Sequence, residues 1–497
     1  MDHSVIADWY GGQNIFITGA TGFMGKVLIE KLLRSCTNVA NIYILVRPKK
    51  GKGAKQRKAE FINCPAFESL KNSPNSTEIF EKLKCLSGDV CQENCGLSPE
   101  DQELLKTNVT VVFHMAANVR FDQPIKNTIT ANTGGTLNVL ELACNFQKLK
   151  VFLHVSTSYC HCNVAKLEER LYRSPQDPRR MLQLAEWMDD EMLQALTPVL
   201  LKNSSPNTYA YTKCLTEQLV SEYREKLPIV IARPSIIIAA YKEPIPGWID
   251  NINGPTGILI GAGKGVIRTM HCNESMSADV VPVDMVINSV LIVAWKVGCE
   301  PRKSEVEVYN VTANRDDPIS WGRAIELGRK YFADYPFSVC LWYPGGSAKS
   351  SYFVHVIAAF FLHIIPAYLV DALMTLTGNK PFLVKLQKRI ENGLSVLQYY
   401  TTREWYFHNE KFEKLYESLG STDKELFYTN REALKYDKFM LDYILGARKY
   451  CVHENEDTLP TARKLNRRLF YLDVLMNIVL IGLFLWALYS FVTTFFV

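Results

Sequence analysis

A glycine-punctuated stretch at residues 14–47 limits the architectures open to this chain. Ile15, Phe16 and Ile17 form a short apolar run, Gly19, Gly22 and Gly25 follow at three-residue spacing, and residues 26–33 carry the apolar period of a helix. Residues 41–46 are a second apolar run, so the order is strand, glycine loop, helix, strand: one βαβ unit. In such a unit, backbone N–H groups at the helix N-terminus approach a pyrophosphate, and a Cβ at the glycines would obstruct the turn or the ligand. The candidate cofactor-binding residues of the loop are therefore Thr18, Gly19, Thr21, Gly22, Phe23, Met24 and Gly25. The residue closing the second strand discriminates between cofactors. An acid there would bond the ribose 2′-OH of NAD, whereas this chain has Arg47, then Lys49 and Lys50, which suits the 2′-phosphate of NADPH.

The remaining chain is long for one domain. With 497 residues and 47% hydrophobic content, two or three units with real cores are expected. A net charge of +5 is small for this size, and no basic stripe interleaved with aromatics occurs, so nucleic acid is not an expected partner. Thirteen cysteines follow no disulfide-framework spacing, and no basic segment followed by an apolar core opens the chain. The catalytic part is accordingly expected to face a reducing compartment.

The C-terminus adds a membrane element. Residues 474–497 carry no charge and are long enough to cross the roughly 30 Å hydrocarbon core. Arg463, Lys464, Arg467 and Arg468 precede them, and positive flanks stay cytosolic, which predicts a cytosolic body on a single-pass tail anchor. A second apolar stretch, 352–375, contains His355, His363, Pro366 and Asp371. Those polar groups point to buried helices broken near Pro366, with an interfacial patch or a crossing as alternatives.

Between these landmarks several strand ends carry candidate site residues. Residues 48–84 are too long for a bare loop and are expected to be helical from 67 to 84. Asp89 follows a strand end and is placed for an adenine, or is a plain turn aspartate. Residues 109–113 form a β-branched strand, after which Ala116 and Ala117 are small enough for the chain to pass a nicotinamide ribose. Asn132 opens a helix, where it either faces the cofactor or bonds neighbouring backbone. Residues 151–155 form a strand ending in Ser156-Thr157-Ser158, at the carboxyl edge where ligands of open α/β sheets bind. About fifty residues on, Tyr209 and Lys213 are i and i+4 on one helical face. A Lys ammonium beside a phenol favours the phenolate, so the Tyr209 pKa is expected to fall from about 10 towards neutrality. Cys160-His161-Cys162, with His154 nearby, matches no common zinc spacing, and adjacent strand residues point to opposite faces, so no metal is expected.

The Thr-Gly-x-x-Gly-x-x-Gly loop, Ser-Thr-Ser and Tyr-x-x-x-Lys together resemble the extended short-chain dehydrogenase/reductases. Arg233-Pro234-Ser235, the run from Glu243 to Asp250 through Pro246-Gly247-Trp248, Asn253-Gly254-Pro255, and Asp279-Val280-Val281-Pro282-Val283-Asp284 narrow the resemblance to the fatty acyl-CoA reductases, animal and insect ones in particular. It continues through Ile364-Ile365-Pro366, Arg403-Glu404-Trp405 and Gly446-Ala447-Arg448 over nearly the whole chain.

This resemblance implies a Rossmann-type, doubly wound parallel α/β sheet with a mainly helical C-terminal domain and a C-terminal transmembrane helix. It divides the chain into an NADP-binding reductase domain at 1–345, a helical family domain at 346–460 and a basic flank with tail anchor at 461–497. It implies NADPH-dependent reduction of a long-chain or very-long-chain acyl-CoA to a primary alcohol through a bound aldehyde, at an endoplasmic reticulum or peroxisomal membrane. Tyr209 and Lys213 would be catalytic, Pro234 would line the cofactor, and Thr157 is favoured as the catalytic hydroxyl with Ser158 the alternative. The insertion at 163–206 has helical apolar spacing at 182–196, which would either cap an acyl channel or pack on the core. A membrane-bound dehydrogenase for a sterol or nucleotide-sugar alcohol, and a non-enzymatic NADP-sensing scaffold, are the alternatives. Oligomeric state stays open.

Overall fold

The structure is a computed structural model that describes residues 3–48, 53–313 and 318–496. Packing divides the chain into two units, each taken by itself.

The first unit comprises Met1–Trp248, Asp279–Pro318 and Glu404–Leu434. Seven strands build its sheet: β1 (Asn14–Thr18), β2 (Asn41–Val46), β3 (Leu83–Ser87), β4 (Val111–His114), β5 (Val151–Val155), β6 (Ile229–Pro234) and β7 (Glu307–Val311). All neighbours are parallel, in the order β7-β6-β5-β4-β1-β2-β3. Parallel strands are covered on both faces, which is why Ile15, Phe16 and Ile17 are all fully buried instead of alternating. The order reverses between β1 and β4, and the register sets Thr18 beside His114, so the two strand ends finish level at the switch point. This is the doubly wound α/β arrangement expected.

Two helical expectations need correction. Residues 67–84 do not form one helix. Short turns at Pro65–Phe67, Glu68–Lys71 and Ser76–Glu81 precede β3. Pro74, followed by Asn75, interrupts the run, since the residue before a proline is driven out of the helical region. Residues 182–196 likewise split into Pro178–Trp187 and Asp190–Leu201, because Asp189 is extended and its carboxylate accepts the Met192 N–H at 2.8 Å, starting a new helix. Met181 and Ala185 of the first, and Leu193 of the second, pack with Tyr211 and Leu215.

The second unit comprises Ile249–Ala278, Ile319–Arg403 and Lys435–Val497 and is mainly helical. Its short parallel strand pair joins Thr269–His271 to Ser347–Lys349. Two of its helical stretches, Tyr352–Leu376 and Glu456–Ala487, are long and apolar enough to cross a membrane; Val497 lies outside the described residues. The first stretch corrects the expectation of buried, proline-broken helices. It runs on as one stretch, with a π-helical turn at Phe360–Ile364 immediately before Pro366, whose nitrogen has no N–H to give the preceding turn. Most of its apolar side chains are exposed, since its polar residues are the ones turned inward.

Candidate active site

Chain geometry at the switch point explains the glycines. Gly19 has φ +73°, and a Cβ there would lie 2.7 Å from the Ala116 nitrogen. A Cβ on Gly25 would lie 2.5 Å from the carbonyl oxygens of both Gly19 and Ala20. Gly22 is the N-cap of the helix Phe23–Ser35 and is exposed with Thr21, leaving a helix N-terminus open beside the sheet's carboxyl edge. This cradle, which side chains would fill, fits a dinucleotide pyrophosphate. We expect Gly19→Ala, which adds about 1–3 kcal/mol of backbone strain besides the clash, to weaken nicotinamide-nucleotide binding roughly tenfold or more by calorimetric titration. An unchanged Kd would show that this loop does not hold the nucleotide.

The other cofactor candidates fall into two groups. Thr21 and Arg47 are exposed, and Phe23, Met24, Asp89, Ala116 and Ala117 are half-buried, around the carboxyl ends of β1 to β4; Lys49 and Lys50 lie outside the described residues. Thr18, Asn132 and Pro234 are turned inward. Thr18 Oγ1 sits 2.7 Å from His114 Nδ1, tying β1 to β4. Asn132 accepts the Asn118 N–H at 2.7 Å and donates to the Asn118 carbonyl and to Thr212 Oγ1, so its amide holds the strand exit in shape. The Pro234 carbonyl accepts the Ser158 N–H at 2.9 Å. Asp89 accepts the Cys91 N–H at 3.1 Å, a turn contact that leaves its second oxygen outside that bond.

At the end of β5 the two candidate hydroxyls part. The Thr157 side chain hydrogen-bonds the Tyr209 phenol. Ser158 instead donates to the Arg233 carbonyl at 2.7 Å and is buried. Tyr209 enters on the first turn of the helix Thr208–Glu222, fixed by its cap: Asn207 Oδ1 accepts the Ala210 N–H at 2.9 Å. The Phe121 ring lies against it, centroids 5.6 Å apart. One turn on, the buried Lys213 ammonium donates to the Val155 carbonyl at 2.7 Å.

The expected fall in the Tyr209 pKa is not found. Burial raises the phenol well above its ordinary value, nearby Cys160 adds to this, and the Thr157 hydrogen bond opposes it in part. Desolvation of the phenolate outweighs any help from Lys213, whose ammonium is directed to a carbonyl. Lys213 itself is lowered to about 8, chiefly by burial, with Glu217 opposing.

Beneath the site lie groups that sequence spacing did not single out. His114 is fully buried and bridges Thr18 to Thr136, whose hydroxyl lies 2.8 Å from Nε2, and burial lowers its pKa to about 3, so the ring is neutral. Glu217 and Arg233 form an ion pair, both side chains at 0% exposure, through two N–H···O bonds of 2.8 and 2.5 Å. The Cys160-His161 stretch is a turn, not a strand, so the argument from alternating faces fails: Cys160, His161 and Glu217 place ligand atoms within 4.8 Å of one another. Arg233 already occupies that carboxylate, however, and a guanidinium at bonding distance repels a cation.

The Pro246-Gly247-Trp248 segment joins the site from another direction. Trp248, fully buried, stacks on Phe23 of the glycine loop, centroids 5.2 Å apart. Asp284 holds the approach to it by accepting the N–H groups of Tyr241, Lys242 and Glu243, and Lys31 of the nucleotide helix pairs with Glu243 at 2.7 Å.

Comparison with known proteins agrees with this layout. An NAD-binding family model described as male sterility protein matches residues 17–290, and a second model of that description matches 362–454. Fatty acyl-CoA reductase 1 of Xenopus laevis is 38% identical over 97% of this chain and 93% of its own length. The chain belongs to the fatty acyl-CoA reductases. A Drosophila melanogaster relative, fatty acyl-CoA reductase wat, is 35% identical over 98% of the chain and 94% of its own length. This reductase is therefore an oxidoreductase with a nicotinamide cofactor. Its fold matches the terminal R domain of the myxalamid PKS-NRPS pathway, with TM-score 0.57 and 18% identity over 88% of this chain and 91% of that one. The R domain of a Mycobacterium tuberculosis nonribosomal peptide synthetase aligns with TM-score 0.58 and 18% identity over 90% of this chain and 96% of that one.

Proposed function

We propose that this reductase converts long-chain or very-long-chain acyl-CoA to the primary alcohol and free CoA with two NADPH as reductant, one hydride for the step from thioester to bound aldehyde and one for the step from aldehyde to alcohol. The observation that carries the reading is the Tyr209 hydroxyl hydrogen-bonded to Thr157, which follows the carboxyl end of β5. The cofactor supplies hydride when bound, while the protein supplies orientation and protons. Thr157 and Tyr209 donate to the carbonyl oxygen as it gains charge. A phenol is protonated at neutral pH and burial raises its pKa further, so Tyr209 is an acid in the direction of reduction and gives its proton to the aldehyde oxygen. Lys213 sets the local charge and, in this reading, would hold the nicotinamide ribose. Arg47 at the end of β2 suits a 2′-phosphate, with Gly19, Gly22 and Gly25 around the pyrophosphate.

The boundaries that accompany this reading are 1–345 for the reductase domain, 346–460 for the helical domain and 461–497 for the anchor. We place the body in the cytosol, with exposed Arg463, Lys464, Arg467 and Arg468 against the membrane of endoplasmic reticulum or peroxisome. The test is a product assay on detergent-solubilised protein with acyl-CoAs of increasing length and NADPH against NADH, read by mass spectrometry. Fatty alcohol with NADPH supports the reading. No alcohol at any length, despite nucleotide binding, ends it.

Lys213 gives this reading a pH signature. With its pKa at about 8, turnover that needs the ammonium falls as pH rises through that value. Stability moves the other way. The unfolded chain keeps its proton up to about 10.4, so between these values it binds more protons than the folded protein, and this group's contribution to stability rises with pH. Activity measured from pH 7 to 10 should fall accordingly. The urea midpoint does not isolate this group, because buried thiols such as Cys36, Cys95 and Cys272, raised to about 12, contribute stability that is lost as pH passes the unfolded thiol value of about 8.5.

A further inference from the structure

The helix Tyr352–Leu376 is built inside out. Its inward side carries the polar groups: His363 Nε2 accepts the Arg268 N–H at 2.8 Å, and His355 Nδ1 lies 3.2 Å from Thr269 Oγ1. The Asp371 carboxylate accepts the N–H groups of Phe382, Leu383 and Val384, capping the helix Leu383–Thr401. Its outward side is apolar, with Phe353 72%, Phe361 60%, Leu369 61% and Leu376 84% exposed. A continuous face of this kind marks a partner, since soluble surfaces rarely leave such a patch to water. Length alone would allow a crossing, but the strand it is fastened to belongs to a two-stranded pair with open edges, and open sheet edges do not occur in the hydrocarbon region.

Arg268 identifies the occupant. Its backbone N–H is bonded to His363 in the middle of this helix, while its guanidinium pairs at 2.9 Å with Asp473, the last charge before the apolar C-terminal run. The Trp342 indole N–H also donates to Asp473, and the Tyr343 ring lies 5.2 Å from that of Phe470. The base of the C-terminal helix and the exposed helix are thus fixed to one residue, beside aromatics of the kind found at headgroup level. Lys380, Lys385, Lys388 and Arg389 follow the exposed helix and are themselves exposed, adding a cationic rim to the one before the anchor.

We propose that the helix Tyr352–Leu376 lies in the interface of the bilayer that holds the C-terminal helix, its apolar side in the acyl region and the basic rim on anionic headgroups. The body is then attached at two places, one spanning and one monotopic, which keeps it from pivoting freely on its tail. The inference rests on reading 474–496 as an anchor.

The test uses the full chain in phosphatidylcholine–phosphatidylserine vesicles carrying a diazirine phospholipid, with labelled peptides mapped by mass spectrometry. Lipid adducts on peptides containing Phe353, Phe361 and Leu369, as well as on 474–490, are expected. Phe361→Glu with Leu369→Glu should cut the first set roughly tenfold and leave the second, with nucleotide binding retained. Adducts on 474–490 alone would overturn the inference while keeping the anchor. Their absence from 474–490 would overturn the anchor, and with it the inference. Cross-links from 352–376 to a second copy in place of lipid would overturn it in favour of self-association.

Discussion

Tyr209→Phe is expected to lower alcohol formation from acyl-CoA with NADPH by about 10²- to 10⁴-fold, the usual contribution of a positioned general acid. The ring stays, so its packing against Phe121 and the helix cap at Asn207 survive, and nucleotide affinity should be unchanged. The loss should fall on kcat, because a proton delivered to oxygen is an interaction made in the transition state and not in the bound substrate. Thr157→Val should lose less, since Tyr209 would keep its proton and only one donor would be gone. Ser158→Ala should leave turnover near the parent value, because that hydroxyl is directed to the Arg233 carbonyl. Steady-state kinetics on the three variants separate the roles. Full activity in the Tyr209→Phe protein would remove the phenol from the chemistry.

The ease with which parts of this molecule are read from sequence follows the range of the interactions that decide them. The β1 unit is set by neighbours: apolar run, glycines and helix succeed one another within 34 residues, and local sterics decide each step. The shared face of Tyr209 and Lys213 is equally local, one helical turn. Which of Thr157 and Ser158 meets the phenol is not local, because it depends on how β5 meets a helix fifty residues away. The Tyr209 pKa does not follow from the Tyr–Lys pair alone, because burial of the phenol and the Val155 carbonyl that takes the Lys213 ammonium dominate. At 352–375, hydropathy reports composition but not which side faces out. Three polar side chains in an apolar run suggest burial of the whole, yet only His363 and the neighbouring Ala367 are buried, while His355 and Asp371 are half-buried. Glu217 and Arg233 lie on different elements, and no spacing rule connects a helix residue to the end of a strand.

That pair carries the largest stability effect expected. Arg233→Met would leave the Glu217 carboxylate without its partner at 0% exposure, at a cost of about 3–5 kcal/mol in urea unfolding. Glu217→Leu would strand the guanidinium at a similar cost. Combining the two should recover most of the loss, since the pair's attraction does little more than offset its own desolvation. Persistence of the full sum would mean instead that Arg233 acts mainly through the Glu168 carbonyl, which it meets at 3.2 Å. The pair also reaches the chemistry. Glu217 is one turn beyond Lys213 and supports its charge against burial. In the double variant, therefore, the fold returns but the Lys213 pKa drops, and the alkaline limb of the activity profile moves to lower pH. A purely structural pair would leave that limb in place, so the pH profile of the restored protein distinguishes a scaffold from a group that positions charge beneath the active site.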